Sequence, residues 1–517
     1  MRSPDPHHQG SVDSPLALLA RAARLASAAP ALHAGAVRLT YAELAHAVAR
    51  LAAQFRHELG GPSAGHGTIL LLLRNGAALP IAIHAAQAAG GSVCALNPDY
   101  SGRELSEILS IARPALAITH ADLAEHLHAA LPAGFGGSVV ALPPDEPAWV
   151  SALLSGDRPA DLPLPNPDGI AVIQFTGGTT GRPKGVMLRH RALAANVAQR
   201  EAILPTSWAA EHVICMMPLF HSFASAMGLL LCANAAGCLH VLPRYRPDWV
   251  VDMIRTEAIT LLPAGPTVFN SLLRFDDLDR AALTSVRAAY SGSAPLSRTT
   301  LDEWEERTGI PIYEGYGQSE AGPVLTYHGP AMARKPGSVG PALPATELRI
   351  VQPESGQDLP TGEAGEIWAR GPQLMEGYLA DPDATANALQ SGWLRTGDVG
   401  RLDEDGYLFI EDRLKDMVIS SGYNIYPREI DEQMMACPGV REAAAIGVPD
   451  SYRGELVWAF YSGTVTPPAL TDWLAERLVA YKRPARLVPL PDLPRTPVGK
   501  LDKPALRAIA AGMGAAA

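Results

Sequence analysis

The stretch Phe175–Gly185, FTGGTTGRPKG, has the residue types of a phosphate cradle. Gly177, Gly178 and Gly181 let a backbone approach phosphate oxygens closely, Thr176, Thr179 and Thr180 supply hydroxyls, and Lys184 supplies charge. Taken alone, the same composition also fits a Gly/Thr-rich turn. It is not a Walker A loop, in which Gly-Lys is followed by Ser or Thr. Here Lys184 precedes Gly185, and at the second Gly-Lys pair, Gly499-Lys500, the first glycine is replaced by Pro494 and Leu501 follows the lysine. The apolar run IAVIQF precedes the loop, and HRALAANVAQREAI has the pattern of a helix after it. A phosphate loop between strand and helix is expected, at the place where open α/β sheets bind ligands.

The elements that must position this loop form an alternating series. Short apolar runs (TILLLL, IAVIQF, HVICMM, LHVL, ITLL, VRAAYSG) are each followed by a helical pattern, which predicts buried parallel strands in βαβ units from about residue 67 to 320. DWVVDMIRTE and PLSRTTLDEWEERTG are two such helices, the second expected to start at its proline and stop near its glycine. Residues 336–411 are rich in Gly, Pro and alternating patterns, which predicts β-hairpins. Beyond EDRLKD the chain reads as a small α+β unit. The fold class expected is α/β: a large N-terminal unit of βαβ layers with a β-rich part (residues 1–414), then a smaller C-terminal α+β unit (415–517).

The 517-residue chain is 47% hydrophobic and 18% charged, enough for a large core. Its net charge of −11 argues against a general nucleic-acid or anionic-membrane binder. The five cysteines, Cys94, Cys215, Cys232, Cys238 and Cys437, form no CxxC pair; Cys232 and Cys238 lie in an apolar stretch and read as buried thiols rather than metal ligands. The N-terminus reads as an amphipathic helix, and no window is long and apolar enough for a membrane span. A soluble cytoplasmic protein, monomer or homodimer, is expected.

Further segments occur in a fixed order: LTYAEL, PLFHSFA (218–224), SGSAPLS (291–297), YGQSE (316–320), GWLRTGD (392–398), IEDRLKDMVISSGYNIYPREID (410–431) and PRTPVGKLDK (494–503). With FTGGTTGRPKG, this series resembles the adenylate-forming superfamily of acyl-CoA synthetases, luciferase-like enzymes and adenylation domains, over nearly the whole chain. The resemblance implies a two-step ligase. A carboxylate attacks the α-phosphate of ATP to give an acyl-adenylate and pyrophosphate; a thiol then displaces AMP.

Within that scheme the loop Thr176–Gly181 with Lys184 would hold the β- and γ-phosphates, and Glu320 would ligate Mg2+, a hard cation that takes carboxylate and phosphate oxygens. Ser319 would bond the α-phosphate. Tyr316, within Glu314, Gly315, Tyr316 and Gly317, would face adenine, with Ser293 and Ala294 on its other side. Asp398 would accept from the ribose and Arg413 would add a contact there. Lys500 would bridge the attacking carboxylate and the α-phosphate as the catalytic lysine. Lys415 would be the hinge about which the C-terminal unit turns, bringing Ser421, Gly422 and Tyr423 to the site as a pantetheine channel.

His221 stands alone in PLFHSFA and could be structural; the resemblance places it at the mouth of the acid pocket, to gate or orient the carboxylate. That pocket would be formed by His221, Phe223, Ala224, Met227, Gly292, Gly317 and Val324, small or apolar apart from the histidine. No acid in HSFA could pair a substrate ammonium, which disfavours amino acids. A medium or long fatty acid is expected first and an aryl or cinnamate-type acid second. The thiol would be coenzyme A, on the resemblance of PDSYRGELVWAF to CoA ligases, or else the phosphopantetheine of an acyl carrier protein.

Overall fold

A computed structural model describes residues 12–60, 67–157, 162–177, 182–278, 282–420, 423–450, 452–496 and 501–514. Among them the strands form four sheets. The first runs from Thr326–Tyr327 through Ile312–Tyr316, Ala288–Ser291, Leu261–Ala264, His212–Cys215, Cys238–Val241 and Pro30–Ala34 to Val37–Thr40. Its pairings are parallel from Ile312–Tyr316 to Pro30–Ala34 and antiparallel at both edges. The second runs from Gly377–Tyr378 through Pro183–Arg189, Ile170–Gly177, Ser92–Ala95, Thr68–Leu72 and Leu116–His120 to Ser138–Leu142. The expected strands of the βαβ region are therefore present, as pleated runs with buried side chains on both faces.

Helices Tyr41–Glu58 and Ala78–Ala88 lie in the core that joins these two sheets, with Ile69 and Leu71 from one and Val213 and Leu239 from the other. Every residue of Ala78–Ala88 is buried, as suits a helix apolar all round. Tyr41–Glu58 starts on a capping box between Thr40 and Glu43.

The third sheet is antiparallel: Ser338–Pro341, Tyr407–Arg413, Trp393–Leu402, Gly365–Arg370 and Glu347–Val351, with Leu389–Gln390 against Trp393–Leu402. The fourth holds Tyr423–Ile425, Val418–Ser420, Gly454–Gly463, Val440–Asp450 and Arg486–Pro489. It packs with helices Pro427–Met435 and Pro467–Ala475 over Ile430, Met434, Val457 and Leu470. Among the described residues no helix is long and apolar enough to cross a membrane.

Two expectations are corrected. No helix follows the glycine loop directly. Pro183–Arg189 is a strand paired antiparallel with Ile170–Gly177, Thr176 opposite Lys184, and the helix begins only at His190. The apolar run in KGVMLR is satisfied by pairing on the sheet, so the strands on either side of residues 178–181 form a hairpin. The helix of PLSRTTLDEWEERTG starts at Arg298, not at Pro295, because the Ser297 side chain accepts from Thr300 N and caps it; Gly309 (φ 72°) ends it as expected.

Candidate active site

The parallel strands of the first sheet deliver several candidate segments from their carboxyl ends, where such sheets bind ligands. His212–Cys215 leads to 218–224, Ala288–Ser291 to Gly292 and Ser293, and Ile312–Tyr316 to Gly317 and Ser319. Ser222 Oγ lies 3.4 Å from Ser319 Oγ, joining PLFHSFA to YGQSE. Gln174 Nε2 donates to the Phe220 carbonyl at 2.9 Å, which joins the hairpin of the second sheet to the same loop. Ser293 holds φ 70°, a left-handed conformation that costs a non-glycine residue about 1 kcal/mol or more and recurs at ligand sites.

Gly178–Gly181 lie outside the described residues, but the base of the loop is described. Lys184 Nζ stands 4.8 Å from the centroid of the Tyr378 ring, and the Tyr378 hydroxyl donates to Glu320 Oε1 at 2.9 Å. Burial, then the Glu320 carboxylate, hold the Tyr378 phenol well above its ordinary value, so it keeps the proton that it donates. Sequence reasoning missed Tyr378. It sits on a two-residue strand, Gly377–Tyr378, whose only signal is its pairing with Val186, and that is not visible in the chain order.

Tyr316 donates its hydroxyl to Asp398 Oδ2 at 2.6 Å, and Arg413 Nε lies 3.4 Å from Asp398 Oδ1. Asp398 and Arg413 face each other across paired strands of the third sheet. Burial raises the Asp398 carboxyl above its ordinary value, while Arg413 and the Tyr316 hydrogen bond oppose the rise. Three residues named separately from sequence are thus one connected group.

Phe223, Ala224, Met227 and Val324 are buried. A Cβ on Gly292 would lie 2.6 Å from Phe223 Cε2, so the glycine leaves room for that ring. Gly317 is small for another reason: its Cβ would lie 1.9 Å from the Pro323 carbonyl oxygen. Gly315 likewise abuts the Tyr327 ring, at 2.2 Å. His221 Nδ1 accepts from Phe223 N at 3.3 Å, so a neutral ring carries its proton on Nε2. The following turn, Ser225–Leu230, is a π-helix, a form frequent at functional sites.

The family model for an AMP-binding enzyme matches residues 19–379, and that for the AMP-binding enzyme C-terminal domain matches 429–500. The chain belongs to the AMP-binding enzyme family. It is 39% identical over 337 residues to a long-chain-fatty-acid–CoA ligase of Bacillus subtilis, a match that spans 64% of this chain and 60% of that protein's length. It is 35% identical over 493 residues to a feruloyl-CoA synthase of an Amycolatopsis species, spanning 94% and 97%. Its fold is similar to that of ATP-bound MatB from Rhodopseudomonas palustris, with a TM-score of 0.88, 31% identity and coverage of 96% and 99%. As a family member the chain is an AMP-forming acid–CoA ligase, and ATP is its nucleotide.

In this AMP-binding enzyme the chain passes from the third sheet to the fourth between Arg413 and Val418. Asp416 N and Met417 N both donate to the Arg413 carbonyl, which makes the segment around Lys415 a tight turn. Asp416 pairs with Arg507 at 2.9 Å and lies 3.9 Å from Lys503, both on the C-terminal helix. Arg428 Nη1 donates to the Ile410 carbonyl at 2.7 Å, and Arg428 N donates to Asp412 Oδ2 at 2.9 Å. Burial pushes the Glu314 carboxyl up to about 7 against the pull of Arg428. Tyr423 is exposed and stacks on Tyr481, ring centroids 4.5 Å apart. Lys500, Ser421 and Gly422 lie outside the described residues.

Proposed function

We propose that this ligase activates an uncharged carboxylic acid, a medium- or long-chain fatty acid first, and passes the acyl group to coenzyme A. The observation that carries the reading is that Phe223, Ala224, Met227 and Val324 are buried, apolar and part of one cluster, with a histidine rather than a carboxylate at the start of the segment that carries the first three. Burial of an apolar tail supplies the binding, with His221 proposed to orient the carboxylate at the mouth of the pocket. The fatty-acid ligase of Bacillus subtilis supports the first choice. The feruloyl-CoA synthase, matched over more of the chain, supports an aryl acid as the second.

In the proposed adenylation step, Tyr316, Asp398 and Arg413 seat the nucleoside while the glycine loop and Lys184 hold the phosphates that leave. Glu320 is the proposed ligand of Mg2+, which would offset the charge of those phosphates. A carboxylate oriented by a phenol is a hard oxygen donor suited to that ion. Ser319 is proposed to bond the α-phosphate, with Lys500 bridging it and the attacking carboxylate. We assign residues 1–414 and 415–517 to two domains that turn about Lys415, so that Ser421, Gly422 and Tyr423 reach the adenylate in the thiol step. ATP–pyrophosphate exchange across a panel of fatty, aryl and amino acids, followed by mass detection of the CoA thioester, tests the reading. Exchange with aryl acids alone would select the second substrate class. Exchange without a CoA thioester would select a carrier protein as acceptor. Exchange with amino acids alone would refute the pocket argument.

A further inference from the structure

Away from the nucleotide and acid residues, the first sheet carries an unusual set of side chains near its edge. Strands Pro30–Ala34 and Cys238–Val241 pair in parallel with His33 opposite His240, and Cys238 stands opposite His212 on the next strand. Leu239 and Val241 point into the core between the two sheets. Strand alternation therefore turns Cys238 and His240, with their partners His33 and His212, to the other face. There helix Pro247–Glu257 packs through Val250, Val251 and Ile254, and its last residue, Glu257, closes over the histidines.

His33 Nδ1 lies 3.2 Å from His240 Nδ1 and 3.2 Å from Glu257 Oε2, and His240 Nδ1 lies 3.9 Å from the same oxygen. Zinc binds imidazole and carboxylate at about 2.0–2.2 Å, so a tetrahedral zinc site has ligand–ligand edges of about 3.3–3.5 Å. Two of the three separations are close to such an edge and the third, at 3.9 Å, is longer, so the three atoms approximate one face of such a tetrahedron. His240 Nε2 is 2.9 Å from His212 Nδ1. A proton held between them on Nε2 leaves the Nδ1 lone pair of His240 pointing at the other two, which is how a second imidazole or carboxylate fixes the tautomer of a metal ligand. Arg38 grips Glu257 at 2.9 and 3.1 Å and orients the carboxylate; its side chain is 65% exposed, so solvent screens its repulsion of a cation.

We propose that His33, His240 and Glu257 form a binding site for a divalent transition-metal ion of the zinc type, with His212 as the orienting partner and solvent at the fourth position. The ion ties the edge strand Pro30–Ala34 to the end of helix Pro247–Glu257 and stabilises the fold without entering the ligase reaction. Cys238, within 4.8 Å of His212 and His240, is not one of its ligands.

The test uses untagged full-length protein, stripped by chelator and titrated with Zn2+ against a chromophoric competitor. One equivalent binding at submicromolar Kd, with a rise in Tm, is expected. His33→Ala and Glu257→Gln should each weaken binding by at least about 100-fold, since loss of even an orienting partner costs roughly 10- to 100-fold. Cys238→Ser should leave it unchanged, and Co2+ should give a four-coordinate visible spectrum without a thiolate charge-transfer band. No stoichiometric binding by the wild type would mean a hydrogen-bonded histidine chain only and would overturn the proposal. A thiolate band lost in Cys238→Ser would overturn the ligand assignment. The wild-type titration decides the matter even if a variant fails to fold.

Discussion

Tyr316→Phe separates the two roles proposed for one side chain. The substitution keeps a ring to face adenine and removes only the hydroxyl that donates to Asp398 Oδ2 at 2.6 Å. Asp398 is 7% exposed, so water cannot readily replace the lost donor, and Arg413 at 3.4 Å remains as its cation. A hydrogen bond to a charged group contributes about 1.5–3 kcal/mol. At about 1.4 kcal/mol per decade, kcat/KM for ATP should fall roughly 10- to 140-fold. The loss should appear in ATP and not in the acid.

The pH dependence gives a second readout. Burial already raises the Asp398 carboxyl, and Arg413 and the Tyr316 hydrogen bond oppose that rise. A carboxyl with a raised folded pKa contributes stability that is fully present below its unfolded pKa and is lost as pH rises through the folded value. Removing the phenol raises that folded value further. The variant should therefore lose more stability than the wild type at neutral pH and less in acid. If Asp398 must be ionised to accept from the ribose, the acid limb of kcat/KM for ATP should move to higher pH. ATP–pyrophosphate exchange from pH 5 to 8, at varied ATP and saturating acid, measures both effects. An unchanged KM for ATP together with an unmoved acid limb would refute the assignment of Asp398 to the nucleotide.

Lys500→Ala should abolish pyrophosphate exchange yet leave transfer from a supplied acyl-adenylate to CoA largely intact; equal loss of both half-reactions would exclude the bridging role. Gly292→Ala places a methyl 2.6 Å from Phe223 Cε2, so it should raise KM for aryl acids severalfold more than for straight-chain acids, as read in a substrate panel. Asp431 is raised to about 7, by burial first, and accepts from Ala445 N. Its stabilising contribution is therefore full below the unfolded carboxylate pKa and lost as pH rises through about 7. Asp431→Asn keeps a carbonyl acceptor, so Tm should fall less between pH 5 and 8 than in the wild type; parallel Tm curves would show that Asp431 does not titrate there.

What the sequence made legible was local. The strands of the βαβ region are apolar runs flanked by helical patterns, and the helix His190–Ile203 has the span its pattern predicts. Elsewhere the local signal was ambiguous. The run Val186–Leu188 suits either a buried strand or the approach to a helix, and only pairing with Ile173–Gln174 decides it. Pro295 looked like a helix start, but the Ser297 cap fixed the first turn later. Contacts between distant residues left no trace. Tyr378 meets Glu320 across 58 positions, and His33 meets His240 across 207. Cys238 is the buried thiol expected, with burial pushing it up to about 12, yet it stands beside two histidines that no spacing rule associates with it.

The strand pairing on either side of the phosphate loop changes how it must work. A loop that opens a helix gains the positive end of the helix dipole and a ring of free N–H groups. Paired strands supply no such dipole, because strand dipoles largely cancel. Without that dipole, side chains and a cation beside the loop carry more of the work of meeting the charge of a bound polyphosphate. Tyr378 connects the two sources, with its ring beside Lys184 and its hydroxyl on Glu320. Because Gly377–Tyr378 pairs with the strand that carries Lys184, displacement of the hairpin moves the Tyr378 anchor with it. On the proposed assignment, the grip on the leaving pyrophosphate and the placement of the cation are then set by one rigid pairing. On the same assignment the α-phosphorus is left to groups from other elements, with Ser319 in the turn that follows the first-sheet strand Ile312–Tyr316 and Lys500 in the C-terminal domain. That division suits a reaction in which the same ATP must be held at one end and cut at another.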